Sequence, residues 1–84
     1  MNHHAPLRQE VSPVRMETMA AERAAFLSLA KTQKRLSWTY YRWALEAERV
    51  GRLVDYRRYR DESDRLRRDA HQHIEHARRR QTNA

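Results

Sequence analysis

The stretch from Lys34 to Gly51, KRLSWTYYRWALEAERVG, decides how this chain folds. Four of the seven aromatic residues lie between Trp38 and Trp43, with bases interleaved. On a helix, where successive side chains turn by about 100°, this cluster splits. Trp38 and Tyr41 go to one face, together with Met16, Met19, Leu27, Ala30, Ala44 and Leu45, with Phe26 at the border. Tyr40 and Trp43 go to another, with Ala25, Leu29, Leu36, Ala47 and Val50. From Leu29 onward the second face advances in steps of 7, 4, 3, 4 and 3 residues, which is heptad spacing.

Outward from this stretch, nothing breaks a helix between Pro13 and Gly51. Ser12 is a good cap, and Pro13 suits the first helical turn because the N–H it lacks is not needed there. A helix over residues 13–50 is a rod of about 57 Å at 1.5 Å per residue. Gly51 is the sole glycine and suits the left-handed residue that closes a helix. After a turn over residues 51–55, Asp55 is placed to cap a second helix that runs to Arg80. Residues 1–12 read as a flexible arm and residues 81–84 as a tail. The short link makes the helices antiparallel neighbours. One glycine, two prolines and a composition rich in Ala, Arg, Glu and Leu support an all-α fold, an antiparallel hairpin of one long and one shorter helix.

The second helix carries one thin stripe: Tyr56, Tyr59, Ser63, Leu66, Ala70, Ile74 and Ala77. It covers one face of the first helix and leaves the other, so a second copy is expected to complete a four-helix bundle dimer. Facing residues of the two helices are expected to have numbers summing to about 105 if the turn centres near residue 52. That register leaves Met16, Met19 and Phe26 with little cover inside the chain. The expected dimer interface is therefore Met16, Met19, Phe26, Leu29, Leu36, Tyr40, Trp43 and Val50. On this reading the rings are mostly core and interface. Base stacking on exposed rings is the lesser alternative, because such platforms usually sit on sheets or loops.

Eighty-four residues make one domain at most. The absence of cysteine excludes disulfides and thiolate metal sites. No apolar run approaches the roughly 20 residues of a membrane span, and the opening MNHHAPLRQE lacks the apolar core of a secretory signal. The expectation is a cytoplasmic protein with no membrane partner. The net charge is +7, with sixteen Arg and two Lys. Such a surplus favours polyanionic partners, DNA or RNA among them.

No acid occurs between Arg23 and Leu45. Within that window and just beyond it, Lys31, Arg35, Arg42 and Arg49 share one stripe, with Lys34 beside it. A second cluster, Arg78, Arg79 and Arg80, closes helix two. These eight bases are the candidate nucleic-acid contacts. Cations at a helix C-terminus also complement its dipole, so the second cluster has a structural reading as well. The middle of helix two, RRYRDESDRLRRD, offers i,i+4 pairs of opposite charge and reads as self-neutralising scaffold.

His73 and His76, with Asp69 a turn earlier, form a weak metal pattern that lacks a firm further ligand and sits near Arg65 and Arg80. No metal or other cofactor is expected. No serine is spaced for a His–Asp relay, and no glycine-rich phosphate loop is present. An enzyme is not expected. Two functions from different classes follow: a small basic protein that holds nucleic acid by its phosphates as a regulatory or accessory factor, or a protein–protein module acting as adaptor, inhibitor or assembly factor.

Overall fold

A computed structural model describes residues 13–82 of the chain. The expected arm over residues 1–12, the cap at Ser12 and the last two residues of the tail lie outside that range. The described chain is two helices, α1 (Pro13–Arg49) and α2 (Leu53–Thr82), packed on each other.

The turn forms as the lone glycine requires. Gly51 has φ of 82°, a left-handed conformation that costs a side chain with a Cβ about 1–2 kcal/mol. Its N–H donates to the Glu48 carbonyl at 3.1 Å, and the Arg52 N–H donates to the Ala47 carbonyl at 2.8 Å. These two bonds satisfy the Ala47 and Glu48 carbonyls in a Schellman closure. Helix α2 starts two residues earlier than the sequence reading. The Arg52 carbonyl accepts the Tyr56 N–H at 2.9 Å, so Arg52, not Asp55, is the capping residue. Asp55 lies in the first turn instead. There it pairs with Arg52 at 2.6 Å and Arg58 at 3.9 Å, a favourable place for negative charge near the positive end of the helix dipole.

The seam between the helices is made of small residues. Ala30, Ser37 and Ala44 recur every seven residues on α1, and Ser63, Ala70 and Ala77 do so on α2; all six are buried. Among the described residues, Leu66 is the only large apolar side chain in the buried core. Small side chains at heptad spacing let two antiparallel backbones approach closely. At mid-length the helices are clasped by serine. The Ser37 hydroxyl donates to the Ser63 carbonyl at 3.0 Å, and the Ser63 hydroxyl returns the bond to the Ser37 carbonyl at 2.9 Å. Both residues are buried, Ser63 completely. Each hydroxyl thus stays hydrogen-bonded, which removes the cost of enclosing it.

The serine clasp corrects the expected register. Ser37 faces Ser63, whereas a sum of 105 would have set Arg68 against it. The shift moves the end of α2 down to cover Phe26, whose ring stacks on His73 at 5.7 Å and His76 at 5.3 Å and lies beneath the Arg80 guanidinium at 4.7 Å. Phe26 therefore has cover within its own chain. Met19 is half-buried and Met16 remains 54% exposed. Five of the seven stripe positions on α2 follow the sequence reading most plainly: Ser63, Leu66, Ala70 and Ala77 are buried, and Tyr59 packs on Tyr40 and Trp43.

Candidate nucleic-acid interface

The seam runs between the two apolar faces of α1 and leaves both as open flanks. On the first flank, Lys31, Lys34, Arg35 and Arg42 are exposed. Because α1 carries no acid between Glu22 and Glu46, Lys31, Lys34 and Arg35 have no carboxylate one turn away along the helix, and the one a turn beyond Arg42, Glu46, is paired with Arg49. No ion pair engages these four bases among the described residues. Arg49, at the end of the same stripe, differs. It is paired with Glu46, its Nε donating to Oε1 at 3.1 Å. That hydrogen bond holds the Glu46 carboxyl below the usual carboxylate range and raises the Arg49 guanidinium in turn.

Trp38 stands in the middle of this flank. Lys34 and Arg35 precede it by four and three residues, Arg42 follows by four, and these spacings put them on one face. It is 65% exposed, so within the chain it belongs to neither the core nor the seam. Its indole meets the Tyr41 ring edge-on, with centroids 5.8 Å apart and planes at 86°. Tyr41 lies in turn under the Arg60 guanidinium at 5.4 Å. Arg60 is fixed from α2 by the Tyr56 hydroxyl at 3.3 Å and by Asp64 at 3.8 Å. A half-buried chain of contacts across the seam thus holds the indole from behind.

The second predicted basic cluster is built differently. Arg80 pairs with Glu22 at 3.1 Å, covers Phe26 and donates to the His76 carbonyl at 3.3 Å. Arg78 pairs with Glu75 at 3.5 Å, and Arg79 also has a contact within the chain. Of the three, Arg80 fastens the end of α2 to α1. His73 hydrogen-bonds Gln33 through Nδ1 at 2.9 Å, and no group of three metal-ligating side chains forms among the described residues. The sequence pattern could have suggested this clasp from Glu22, Phe26 and Arg80 only with the correct register in hand.

Along α2 the charges neutralise one another. Arg60–Asp64 and Arg65–Asp69 (2.9 Å) form as i,i+4 pairs, while Arg58–Asp55, Arg65–Glu62 and Arg67–Asp64 (3.4 Å) close at i,i+3. The Arg65 hydrogen bond holds Glu62 below its ordinary carboxylate range.

The opposite flank of α1 is apolar. Leu29, Leu36, Trp43 and Val50 recur every seven residues and are each about half exposed, Leu36 at 45% and Trp43 at 50%. Tyr40, Trp43 and Tyr59 form a ring cluster with centroids 5.2 to 6.2 Å apart, and next to it Trp43, Ala47, Val50 and Tyr59 line a shallow groove whose rim is the charged Glu46, Arg52 and Asp55. Between Ala25 and Trp43 no charged residue falls on this side of the helix; its outer border is Thr32 and Thr39. No described helix is long and apolar enough to cross a membrane. Family models, curated proteins and solved structures yield no match to this chain.

Proposed function

We propose that this chain binds nucleic acid through phosphate contacts, as a non-enzymatic regulatory or accessory factor, and does so as a two-fold dimer in a four-helix bundle. One observation carries the first part. Lys31, Lys34, Arg35 and Arg42 form an exposed row with no carboxylate partner, in a chain whose other charges are largely paired. Bases already matched by acids release few counterions when a polyanion arrives; unmatched bases release them and gain affinity. Arg49 and the Arg78–Arg80 cluster contribute less, since neighbouring acids and carbonyls already hold them. Binding of this kind is steeply salt-dependent and reads little sequence, because phosphates carry none.

The dimer rests on the apolar flank. Within one chain, the seam encloses one leucine and several alanines, and a fully buried leucine contributes only about 1.5–3 kcal/mol. Four large half-exposed residues at heptad spacing form a continuous apolar stripe from which a two-helix protein can gain stability, while Met16, Leu27, Trp38 and Leu45 are exposed on the other flank. A second copy supplies a stripe of the same spacing.

The same flank supports a second reading, a module for a foreign protein. In that case the purified chain is a monomer, and it captures its partner from nuclease-treated extract. Fluorescence anisotropy with a labelled oligonucleotide at two salt concentrations tests the first reading; absence of binding at low salt removes it. Sedimentation mass after nuclease treatment tests the dimer, and a monomeric mass at working concentration removes that part alone.

A further inference from the structure

The indole inside the basic row narrows the ligand. We infer that the strand held on this flank is single-stranded, with a base stacked on Trp38 while Lys31, Lys34, Arg35 and Arg42 take the phosphates on either side. This rests on the nucleic-acid reading and specifies its substrate class.

Three observations converge. First, Trp38 is the most exposed aromatic side chain among the large apolar residues of the described chain, at 65%. An indole left in water has lost burial it could have had, and its place between four unpaired bases names a compensating partner that is both anionic and flat. Bases offer a π-face whatever their identity, so stacking is compatible with a site that reads no sequence. Second, the ring is held from behind. Tyr41 meets it at 86°, and Arg60 of α2, itself paired with Asp64, lies over Tyr41. The platform is therefore ordered before the ligand arrives, which lowers the entropic cost of binding. Helical side chains lean toward the N-terminus, so Trp38 inclines over the turn bearing Lys34 and Arg35, and Arg42 inclines toward Trp38.

Third, the charge distribution suits a narrow ligand. The row is one helix wide. Across the seam the next charged groups are Arg60, Asp64 and Arg67, where acid and base alternate. A single strand tracks α1 and avoids them. A duplex is far wider than one helix, so it meets Asp64 as well, and its paired bases are sealed from the indole by stacking. A protruding ring then meets the sugar-phosphate wall, where it has nothing to stack on. The 2′-hydroxyl plays no part in this contact, so single-stranded DNA and RNA are held alike.

The test compares a short oligothymidylate, its duplex with oligoadenylate, and polyphosphate as a base-free polyanion, on nuclease-treated full-length protein. In a Trp43→Phe background Trp38 is the sole indole, and its fluorescence is quenched by the single strand and not by polyphosphate. Trp38→Ala weakens single-strand binding by about 5- to 140-fold, the range for loss of one stacked base. It leaves polyphosphate binding unchanged, and Trp38→Phe restores most of the loss. Equal or tighter duplex binding, or a Trp38→Ala variant that holds the single strand as well as the parent, overturns the inference while leaving phosphate binding intact. Failure of all three ligands to bind overturns both readings together. Helical content by circular dichroism confirms that each variant is folded.

Discussion

Trp38 and Trp43 are five residues apart on one helix, and both are at least half exposed, yet their surroundings differ in kind. Trp38 stands among Lys34, Arg35 and Arg42, with no carboxylate one turn away. Trp43 stands against Tyr40 and Tyr59, in line with Leu36 and Val50. The first flank carries unmatched charge beside exposed Leu27 and Leu45, and the second carries apolar residues at heptad spacing. Under the proposed function each flank takes its own complement: a polyanion for one, another apolar stripe for the other. An exposed ring by itself therefore carries little meaning, and the groups one turn to either side assign its partner.

The largest effect is expected on the apolar flank. Leu36→Asp sets a carboxylate in the middle of the stripe, where burial without a partner costs several kcal/mol. The dimer dissociates at micromolar concentration, so the sedimentation mass halves, while phosphate contacts by each monomer persist with lower avidity. If this variant keeps the parent mass, the stripe is not the dimer surface.

Next comes the charged flank. Arg35→Glu with Arg42→Glu changes the net charge by four units and lowers oligonucleotide affinity by more than about tenfold at low salt, with a shallower salt dependence. Arg58→Glu with Arg67→Glu makes the same change in net charge on α2, where both bases are already paired. That variant is expected to bind within a few-fold of the parent. Equal losses from the two double variants would mean that overall charge, not the row on α1, attracts the ligand.

The hairpin itself was legible in the sequence because its determinants are local. Pro13 opens α1, Gly51 takes the left-handed turn, and Ser63, Leu66, Ala70 and Ala77 of the α2 stripe lie in the seam. The register was not legible, because it depends on a contact between residues 26 apart. Ser37 is polar, fits neither apolar face, and gains its place only when the Ser63 carbonyl and hydroxyl stand opposite it. A seam of alanine and serine has weak hydropathy, so the strongest apolar signals, Trp38, Trp43 and the leucines, pointed to the flanks on either side of it. The row of bases was legible as a gap in the acids. Which bases remain unmatched was not, since Arg80–Glu22 joins opposite ends of the chain.

A smaller effect bears on how the flanks are presented. Gly51→Ala keeps free space around the new methyl group, with nothing within 4 Å, so its cost is conformational alone, about 1–2 kcal/mol. Thermal unfolding followed by circular dichroism shows a lowered Tm, and both binding flanks keep their ligands below the transition. An unchanged Tm would mean that the turn does not hold the left-handed conformation in solution.

The smallest change sharpens the charged flank without removing anything from it. Glu46→Gln leaves Arg49 in place and takes away its counter-charge. The pair is largely exposed, so its loss changes stability little. The freed guanidinium extends the row beyond Arg42 by two helical turns. Oligonucleotide affinity rises a few-fold, and the slope of log affinity against log salt steepens by about 0.7, the value for one further phosphate contact on a single strand. Acid does the same to the parent protein. Glu46 is held ionised by Arg49 to below the usual carboxylate pH, so the pair is intact at neutral pH and is lost only as pH falls through that lowered value. Parent and Glu46→Gln therefore converge in affinity at the acid end and separate at neutral pH. A pH titration in which the two stay parallel would show that Arg49 does not reach the strand, and that the row ends at Arg42.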